Sequence, residues 1–206
     1  MRVAVVGGTG DFGLALARRL AEAGEEVVIG SRDAGRAAEK AAEAGAAAGA
    51  ANEDAVRGVD LVVLATKADA ALPTAASLAD AIGETPVLSV ASELRFSKQG
   101  VFPTDEARSI AERTQDLLRG PVAAGLHSLA AASLAAGPAR GDALVCGDDG
   151  EAKRLALELA ANVVSGRALD AGPLASARAL EGLTAVIVNL NKRYKGHAGV
   201  SVTGLP

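Results

Sequence analysis

The chain begins MRVAVVGGTGDFG (residues 1–13) and, after one amphipathic stretch, continues EEVVIGSR (25–32). A short apolar run at 3–6 leads into glycines spaced Gly8-x-Gly10-x-x-Gly13, and the stretch LALARRLAEAG follows them. This order predicts a strand, a tight turn and a helix whose free N–H groups face a phosphate. The glycines allow positive φ, close backbone approach to a pyrophosphate, and close packing of helix on strand. The stretch therefore predicts a dinucleotide-binding unit.

The end of the second predicted strand indicates which dinucleotide is bound. Where an NAD-binding unit usually has an Asp or Glu for the ribose hydroxyl, Ser31 and Arg32 follow Gly30. A carboxylate repels a 2′-phosphate, whereas a hydroxyl and a guanidinium bind it. Arg36, four residues after Arg32, can reach the same group. The alternative is a polar strand end with a solvated arginine, but the pattern favours NADP over NAD.

Composition excludes several classes of protein. The 206 residues are 50% hydrophobic, enough to bury a sizeable core. A net charge of −4 and 2% aromatic content provide neither a basic patch nor a stacking surface for nucleic acid. The one cysteine, Cys146, lies in an apolar run where we expect it to be buried, and it allows neither an intrachain disulfide nor a thiolate metal site. We expect a soluble, cytoplasmic protein that binds no metal, membrane or nucleic acid.

Strand and helix patterns alternate along the chain, which predicts an α/β fold of the Rossmann type with a doubly wound parallel sheet. We expect strands at 2–6, 26–30, 60–65, 86–91, 121–124 and 143–146. We expect helices near 11–23, 33–45, 69–82, 104–118 and 149–164, and a final one from Pro173. The third and fourth strands end at Thr66 and Ser92, so both residues should border the ligand crevice.

After Ala124 the alternation weakens. We therefore predict an NADP-binding Rossmann domain at 1–124 and a small α-rich C-terminal domain at 125–206. The final helix carries an apolar run, 183–190, that is too continuous for a helix with one solvent-exposed face. It should pack against the N-terminal unit or a second subunit, which predicts a homodimer. The tail VSVTGL (200–205) alternates apolar and polar residues and predicts an edge strand.

Segments along nearly the whole chain resemble the NADPH-dependent reductases of coenzyme F420. The matching segments are GGTGDFG (7–13), VIGSRDAGRAAEKAAE (28–43), GLHS around His127, LVCGDDGEAK (144–153), LDAGPLASARALEGLTAVIVNLN (169–191) and RYKGHAGVSVTGL (193–205). The CGDD and LDAGPL pieces are the more specific, because nothing in a generic dinucleotide fold requires them. The resemblance implies direct hydride transfer between C4 of the nicotinamide of NADP(H) and C5 of the deazaflavin coenzyme F420.

The resemblance also implies roles for particular residues. Thr9, Ser31, Arg32 and Arg36 would surround the 2′-phosphate, and the deazaflavin would lie in a groove between the two domains. His127 would lie beside its rings as the candidate catalytic residue, a donor to the deazaflavin carbonyls as charge develops. The alternative is a histidine whose ring nitrogens cap neighbouring backbone. The candidate cofactor-binding residues are Gly8, Thr9, Gly10, Asp11, Phe12, Gly13, Ser31, Arg32, Arg36, Thr66, Lys67, Ser92 and Pro173, the last lining the same groove as His127.

Two loops at the crevice depart from the family. Thr66-Lys67-Ala68-Asp69 and Ser92-Glu93-Leu94-Arg95 are polar where family members tend to have apolar, proline-containing turns. Lys67 is either a solvated lysine at a strand end or a contact to a substrate anion or carbonyl. Two other functions therefore stay open: an NADPH-dependent reductase of another flat heterocycle such as a flavin, and a non-catalytic NADPH-binding protein.

Overall fold

A computed structural model describes residues 1–205. The strands in this part of the chain are β1 (Arg2–Val6), β2 (Glu26–Ser31), β3 (Ala48–Ala51), β4 (Leu61–Leu64), β5 (Val87–Ser89), β6 (Leu94–Ser97), β7 (Gly100–Pro103), β8 (Val122–Gly125), β9 (Ala143–Gly147) and β10 (Ala168–Asp170). The helices are α1 (Asp11–Glu22), α2 (Ala34–Ala44), α3 (Asn52–Ala55), α4 (Ala68–Ile82), α5 (Ile110–Gln115), α6 (Ala131–Ala136), α7 (Gly150–Ala161) and α8 (Ala177–Tyr194), with a 3₁₀ turn at Leu174–Ser176. No helix within 1–205 is both long and apolar enough to cross a membrane.

Eight of these strands form one twisted sheet in the order β10-β9-β8-β5-β4-β1-β2-β3. Every neighbouring pair is parallel except β8 and β9, which run antiparallel. The chain winds outward from β1 through β2 to β3, then returns to the other side of β1 to build β4, β5 and β8. The predicted α/β, doubly wound sheet is confirmed, and its order reverses between β1 and β4.

The central strands are apolar throughout because helices cover both faces of the sheet. In β1, Val3 and Val5 pack in the cluster that contains Leu16 and Leu20 of α1. The alternate residues of β1 pack in a second cluster that contains Leu78 and Ile82 of α4. Since successive side chains of a strand point to opposite faces, one short run of sequence supplies both cores.

The glycine turn joins β1 to α1 at very short range. Gly7 has φ +83°, a left-handed conformation that side-chain-bearing residues rarely adopt. A Cβ at Gly13 would lie 2.5 Å from the carbonyl oxygen of Gly7, so only glycine lets α1 sit on the end of the strand. The positive φ predicted for this turn thus falls on Gly7, one residue before the Gly8-x-Gly10-x-x-Gly13 pattern.

Four elements differ from the sequence prediction. The strand β3 and the hairpin β6–β7 were not predicted, because AGAA and LRFS lack the apolar runs by which strands are recognised. The helix predicted at 104–118 is limited to Ile110–Gln115. It begins there because Ser109 and Glu112 form a capping box, in which each side chain binds the other residue's backbone N–H.

The C-terminal third of the chain also departs from expectation. The boundary predicted after residue 124 falls within β8, and β9 and β10 extend the same sheet. The final helix starts at Ala177, since Pro173 precedes a separate 3₁₀ turn.

The edge strand predicted for the tail is wrong. Instead, buried Asp142 holds that tail: its backbone N–H donates to the Val200 carbonyl at 2.6 Å, and its carboxylate accepts from the Val202 N–H at 2.8 Å.

Asp142 should make stability depend on pH. Its carboxylate also accepts from the backbone and guanidinium of Arg167, and these hydrogen bonds lower its pKa from the ordinary value of 3.8. A lowered pKa in the folded state stabilises the protein above pH 3.8, and this contribution is lost as the pH falls further. We expect Asp142→Asn to lower the urea midpoint at pH 7, and the gap from wild type to narrow below pH 4.

The matched control is Asp105→Asn, which alters an exposed carboxylate. Its urea midpoint should equal that of wild type at both pH values. An Asp142→Asn midpoint equal to wild type at pH 7 would show that the tail is not held by this carboxylate.

Candidate functional site

A cleft of about 570 Å³ opens at the carboxyl ends of β1, β2 and β4. It lies where the strand order reverses, the place at which doubly wound sheets bind ligands. It is lined by Gly7, Thr9, Gly10, Ser31, Arg32, Asp33, Arg36, Asn52, Ala65, Thr66, Lys67, Ala70 and Thr74.

One wall of the cleft is the start of α1. Gly10 is its N-cap and carries no side chain, so the first N–H groups of the helix have no side-chain cap. A Cβ built at Gly10 would approach only the Gly7 carbonyl, at 3.5 Å, so this surface is open for close approach. Such a terminus attracts anions.

Four of the predicted cofactor-binding residues, Gly8, Asp11, Phe12 and Gly13, do not line the cleft. The two glycines are buried behind it, Asp11 is exposed, and Phe12 packs against the core.

The opposite end of the cleft is cationic, as the sequence predicts. Arg32 and Arg36 are exposed there, and neither forms an ion pair within residues 1–205. The neighbouring carboxylate of Asp33 accepts from the Arg36 N–H at 3.0 Å and caps α2. The Ser31 hydroxyl accepts from the Asp33 N–H at 3.2 Å. Two guanidinium groups beside a nearly buried hydroxyl can therefore bind a phosphate.

The remaining wall carries polar atoms that lack partners. Thr66 Oγ1 and Asn52 Oδ1 are buried and accept or donate no hydrogen bond within the described chain. Buried polar groups are normally paired, so unpaired ones that line a cleft point to a ligand. Thr66 and the exposed Lys67 were predicted here, but Asn52 was missed because it follows the unpredicted β3. Its signal is a lone Asn directly after an alanine-rich stretch, which is too common to single out.

His127 lies at the same edge of the sheet, just beyond β8. The residue before it, Leu126, has φ +66° although it is a leucine, a strained conformation of the kind found near functional sites. Both ring nitrogens of His127 are buried and unpaired within residues 1–205. Burial lowers the pKa of His127 to about 4, and the nearby Ala91 backbone opposes this shift only weakly. The ring is therefore neutral at pH 7.

A short chain of hydroxyls fixes the His127 segment. Thr184 of α8 donates from Oγ1 to the His127 carbonyl at 2.8 Å, and Ser92 Oγ lies 2.8 Å from the same Thr184 oxygen. Ser92 therefore joins the loop after β5 to His127 rather than lining the cleft. This contact explains how α8, far along the sequence, reaches the carboxyl edge of the sheet.

Pro173 does not join these residues. Because β9 and β10 run antiparallel to β8, their carboxyl ends lie at the opposite edge of the sheet, where Gly147 pairs with Ala123. There the Leu174 N–H donates to Asp148 at 2.9 Å, and Asp149 caps α7. Ten residues of the 3₁₀ turn and of α8 then separate Pro173 from Thr184, a distance on the order of 15 Å. The sequence could not show this, since it does not reveal strand direction.

Comparison with known proteins shows which family the chain resembles. Residues 2–93 match the family model described as NADP oxidoreductase, coenzyme F420-dependent. The chain is 38% identical to the F420-dependent NADP reductase of Methanothermobacter thermautotrophicus, over 100% of this chain and 96% of that protein. It is 33% identical to the enzyme of the same name from Methanocaldococcus jannaschii, over 100% and 99% of the two chains.

Among solved structures, a putative F420-dependent NADP-reductase from Arthrobacter sp. FB24 superposes with a TM-score of 0.84 and 25% identity, over 99% of this chain and 100% of that one. The full-length similarity to the archaeal reductases, on a fold with the same architecture, shows that the chain belongs to the F420-dependent NADP reductase family.

Proposed function

We propose that this protein transfers a hydride between NADP(H) and the deazaflavin coenzyme F420. The observation that carries the proposal is the full-length similarity to F420-dependent NADP reductases, on a chain whose main cleft ends in two unpaired arginines. The rings of the two bound coenzymes supply the hydride chemistry themselves, between C4 of the nicotinamide and C5 of the deazaflavin. The protein's part is to hold the two rings and exclude water.

Different cleft residues bind different parts of NADP(H). Arg32, Arg36 and Ser31 bind the 2′-phosphate with charge-assisted hydrogen bonds, and Thr9 lies beside them. The first N–H groups of α1 face the pyrophosphate. Thr66, Lys67 and Asn52 line the wall toward β4 and contact the rest of the dinucleotide.

His127 positions and polarises the second ring. A neutral imidazole carries one N–H and one free nitrogen, so it can donate a hydrogen bond to a carbonyl without bringing a buried charge to the site. The donor strengthens as negative charge develops on that carbonyl, which stabilises the transition state more than the bound substrate. Ser92 and Thr184 act through the His127 backbone and are positioning residues.

The first prediction concerns cofactor choice. Loss of a charge-assisted hydrogen bond costs about 1.5–3 kcal/mol, so Arg32→Ala should raise the Kd for NADPH about tenfold or more. The Kd for NADH, which has no 2′-phosphate, should not change. Fluorescence titration of both cofactors measures the two constants. The matched control is Arg119→Ala, an exposed arginine outside the cleft, and equal affinities of wild type for NADPH and NADH would refute the assignment.

The second prediction concerns His127. His127→Ala should lower kcat for F420 reduction about a hundredfold, the usual effect of removing one donor to developing charge, with the Kd for NADPH unchanged. His127→Gln retains an N–H donor and should recover part of the rate. Because the pKa of His127 is about 4, its titration should leave the wild-type kcat flat between pH 6 and 8. A kcat for His127→Ala equal to that of wild type would remove His127 from the reaction.

The acceptor itself is tested by bleaching of the deazaflavin absorption. Saturating NADPH should bleach F420 with purified protein, and should reduce FMN far more slowly. The polar loops at Lys67 and Glu93 favour one other candidate, a reductase of a flavin-like heterocycle, and faster reduction of FMN than of F420 would support it. Tight NADPH binding with neither acceptor reduced would indicate a non-catalytic NADPH-binding protein.

We also propose that the protein is a cytoplasmic homodimer that associates through α8. One face of α8 carries apolar residues spaced four, three, four and four apart: Ala179, Leu183, Val186, Leu190 and Tyr194. Such spacing is typical of a helix that packs along a second helix. Val186 and Tyr194 are 53% and 73% exposed in the single chain, which supports a partner on this face.

Dimerisation is tested by one substitution on this face. Leu190→Glu places a charge in the contact and should convert the dimer to a monomer in light scattering. Leu117→Glu is the control, since Leu117 of the segment after α5 is equally exposed but lies off α8. A monomeric wild type at high micromolar concentration would contradict the proposal.

A further inference from the structure

A second cleft, of about 410 Å³, lies between α6 and the C-terminal tail. Its polar side chains are Ser133, Arg140 and His197, and the rest of its lining is alanine, glycine and proline. No carboxylate lines it. None of the candidate site residues described above belongs to it.

Hydrogen bonds and close backbone contacts hold the C-terminal tail at this cleft. The Ala198 N–H donates to Asn191 Oδ1 at 2.6 Å, and the Asp142 N–H donates to the Val200 carbonyl at 2.6 Å. A Cβ at Gly199 would lie only 2.1 Å from the Arg140 carbonyl oxygen. These contacts directly follow His197 in the chain and place it at the same cleft as Arg140, which is 57 positions earlier.

The charge around this cleft is unbalanced. Segments 126–141 and 182–205 contain no Asp or Glu, although they carry Arg140, Lys192, Arg193 and Lys195. None of these four cations forms an ion pair in the part of the chain that the structure describes. Asp142, two residues after Arg140, is buried, and its carboxylate already accepts hydrogen bonds from Arg167 and Val202. In a chain of net charge −4, such a region attracts anions.

The cleft lies on the same edge of the sheet as His127. Because β9 is antiparallel to β8, the residues that lead into β9 return to the edge where β8 ends. Ser128, next to His127, donates to the Asp142 carbonyl at 3.4 Å, and Arg140 is two residues before Asp142. Arg140 is therefore within about 20 Å of His127 along this path.

We propose that the cleft at Arg140 and His197 is a subsite for a phosphate or carboxylate group. Arg140 offers a bidentate fork for either anion, and His197 and Ser133 add further donors. Two sources of the anion share this chemistry: the phosphodiester and carboxylates on the side chain of coenzyme F420, or a free anion. The first source rests on the proposed function, whereas the existence of the subsite does not.

Binding is tested by NMR on the imidazole of His197. The chain has two histidines, and His127 is buried whereas His197 is exposed, so the two resonances are distinguishable. Addition of inorganic phosphate, or of a glutamate trimer, should shift the His197 resonance and leave that of His127 in place. The shift should be absent in Arg140→Gln and retained in Arg119→Gln, which neutralises an exposed arginine elsewhere. Absence of a shift in wild type with both probes would overturn the proposal.

The source of the anion is tested by kinetics. If the F420 side chain occupies the subsite, Arg140→Gln should raise the KM for F420 about three- to tenfold, and the KM for a deazaflavin that lacks the phosphate and glutamates should not change. The Kd for NADPH should be unaffected. A His197 shift with an unchanged KM for F420 would assign the subsite to a free anion. A His197 shift in a protein that does not reduce F420 would refute the proposed function and leave the subsite standing.

Discussion

The close approach of Gly13 to Gly7 is the constraint on which the rest of the site depends. No side chain fits between α1 and the end of β1, so the helix begins directly on the strand and its first N–H groups face the cleft. The turn is equally tight toward β4, where a Cβ at Gly7 would lie 2.7 Å from the Ala65 carbonyl. Both walls of the cleft are thus fixed by one turn, and the cationic end after β2 follows from the parallel pairing of β1 with β2.

Strand direction decides which other residues reach the carboxyl edge of the sheet. Parallel β5 and β8 bring Ser92 and His127 to the carboxyl edge of the sheet, and α8 binds both through the Thr184 hydroxyl. The single antiparallel pair, β8 with β9, sends Pro173 to the opposite edge and returns Arg140 to the edge of His127. The C-terminal residues therefore reach the His127 segment through α8, although β9 and β10 continue the same sheet.

Local patterns in the sequence predicted the parts of this site that local physics controls. The glycine spacing and the apolar runs were sufficient to predict the central strands, and the strand ends predicted that Ser31, Arg32, Arg36, Thr66 and Lys67 line one cleft. Local patterns could not predict contacts between segments that are far apart in the sequence. The alanine-rich β3 has no strand signal of its own and is fixed by packing on α2, where a Cβ at Gly49 would lie 2.1 Å from the Ala37 carbonyl, so Asn52 was missed. Likewise, nothing local distinguishes β9 as antiparallel, which is why Pro173 was misplaced.

Direct passage of hydride between two rings held at this edge is most sharply tested by isotope transfer in a single turnover. NADPH carrying deuterium on the transferred face of C4 is mixed with F420 and protein in ordinary water, and the product is analysed by mass spectrometry and NMR. If the two rings meet beside His127 with water excluded, the deuterium appears at C5 of the deazaflavin without loss to solvent. Reduced F420 that carries solvent hydrogen at C5 would contradict direct transfer.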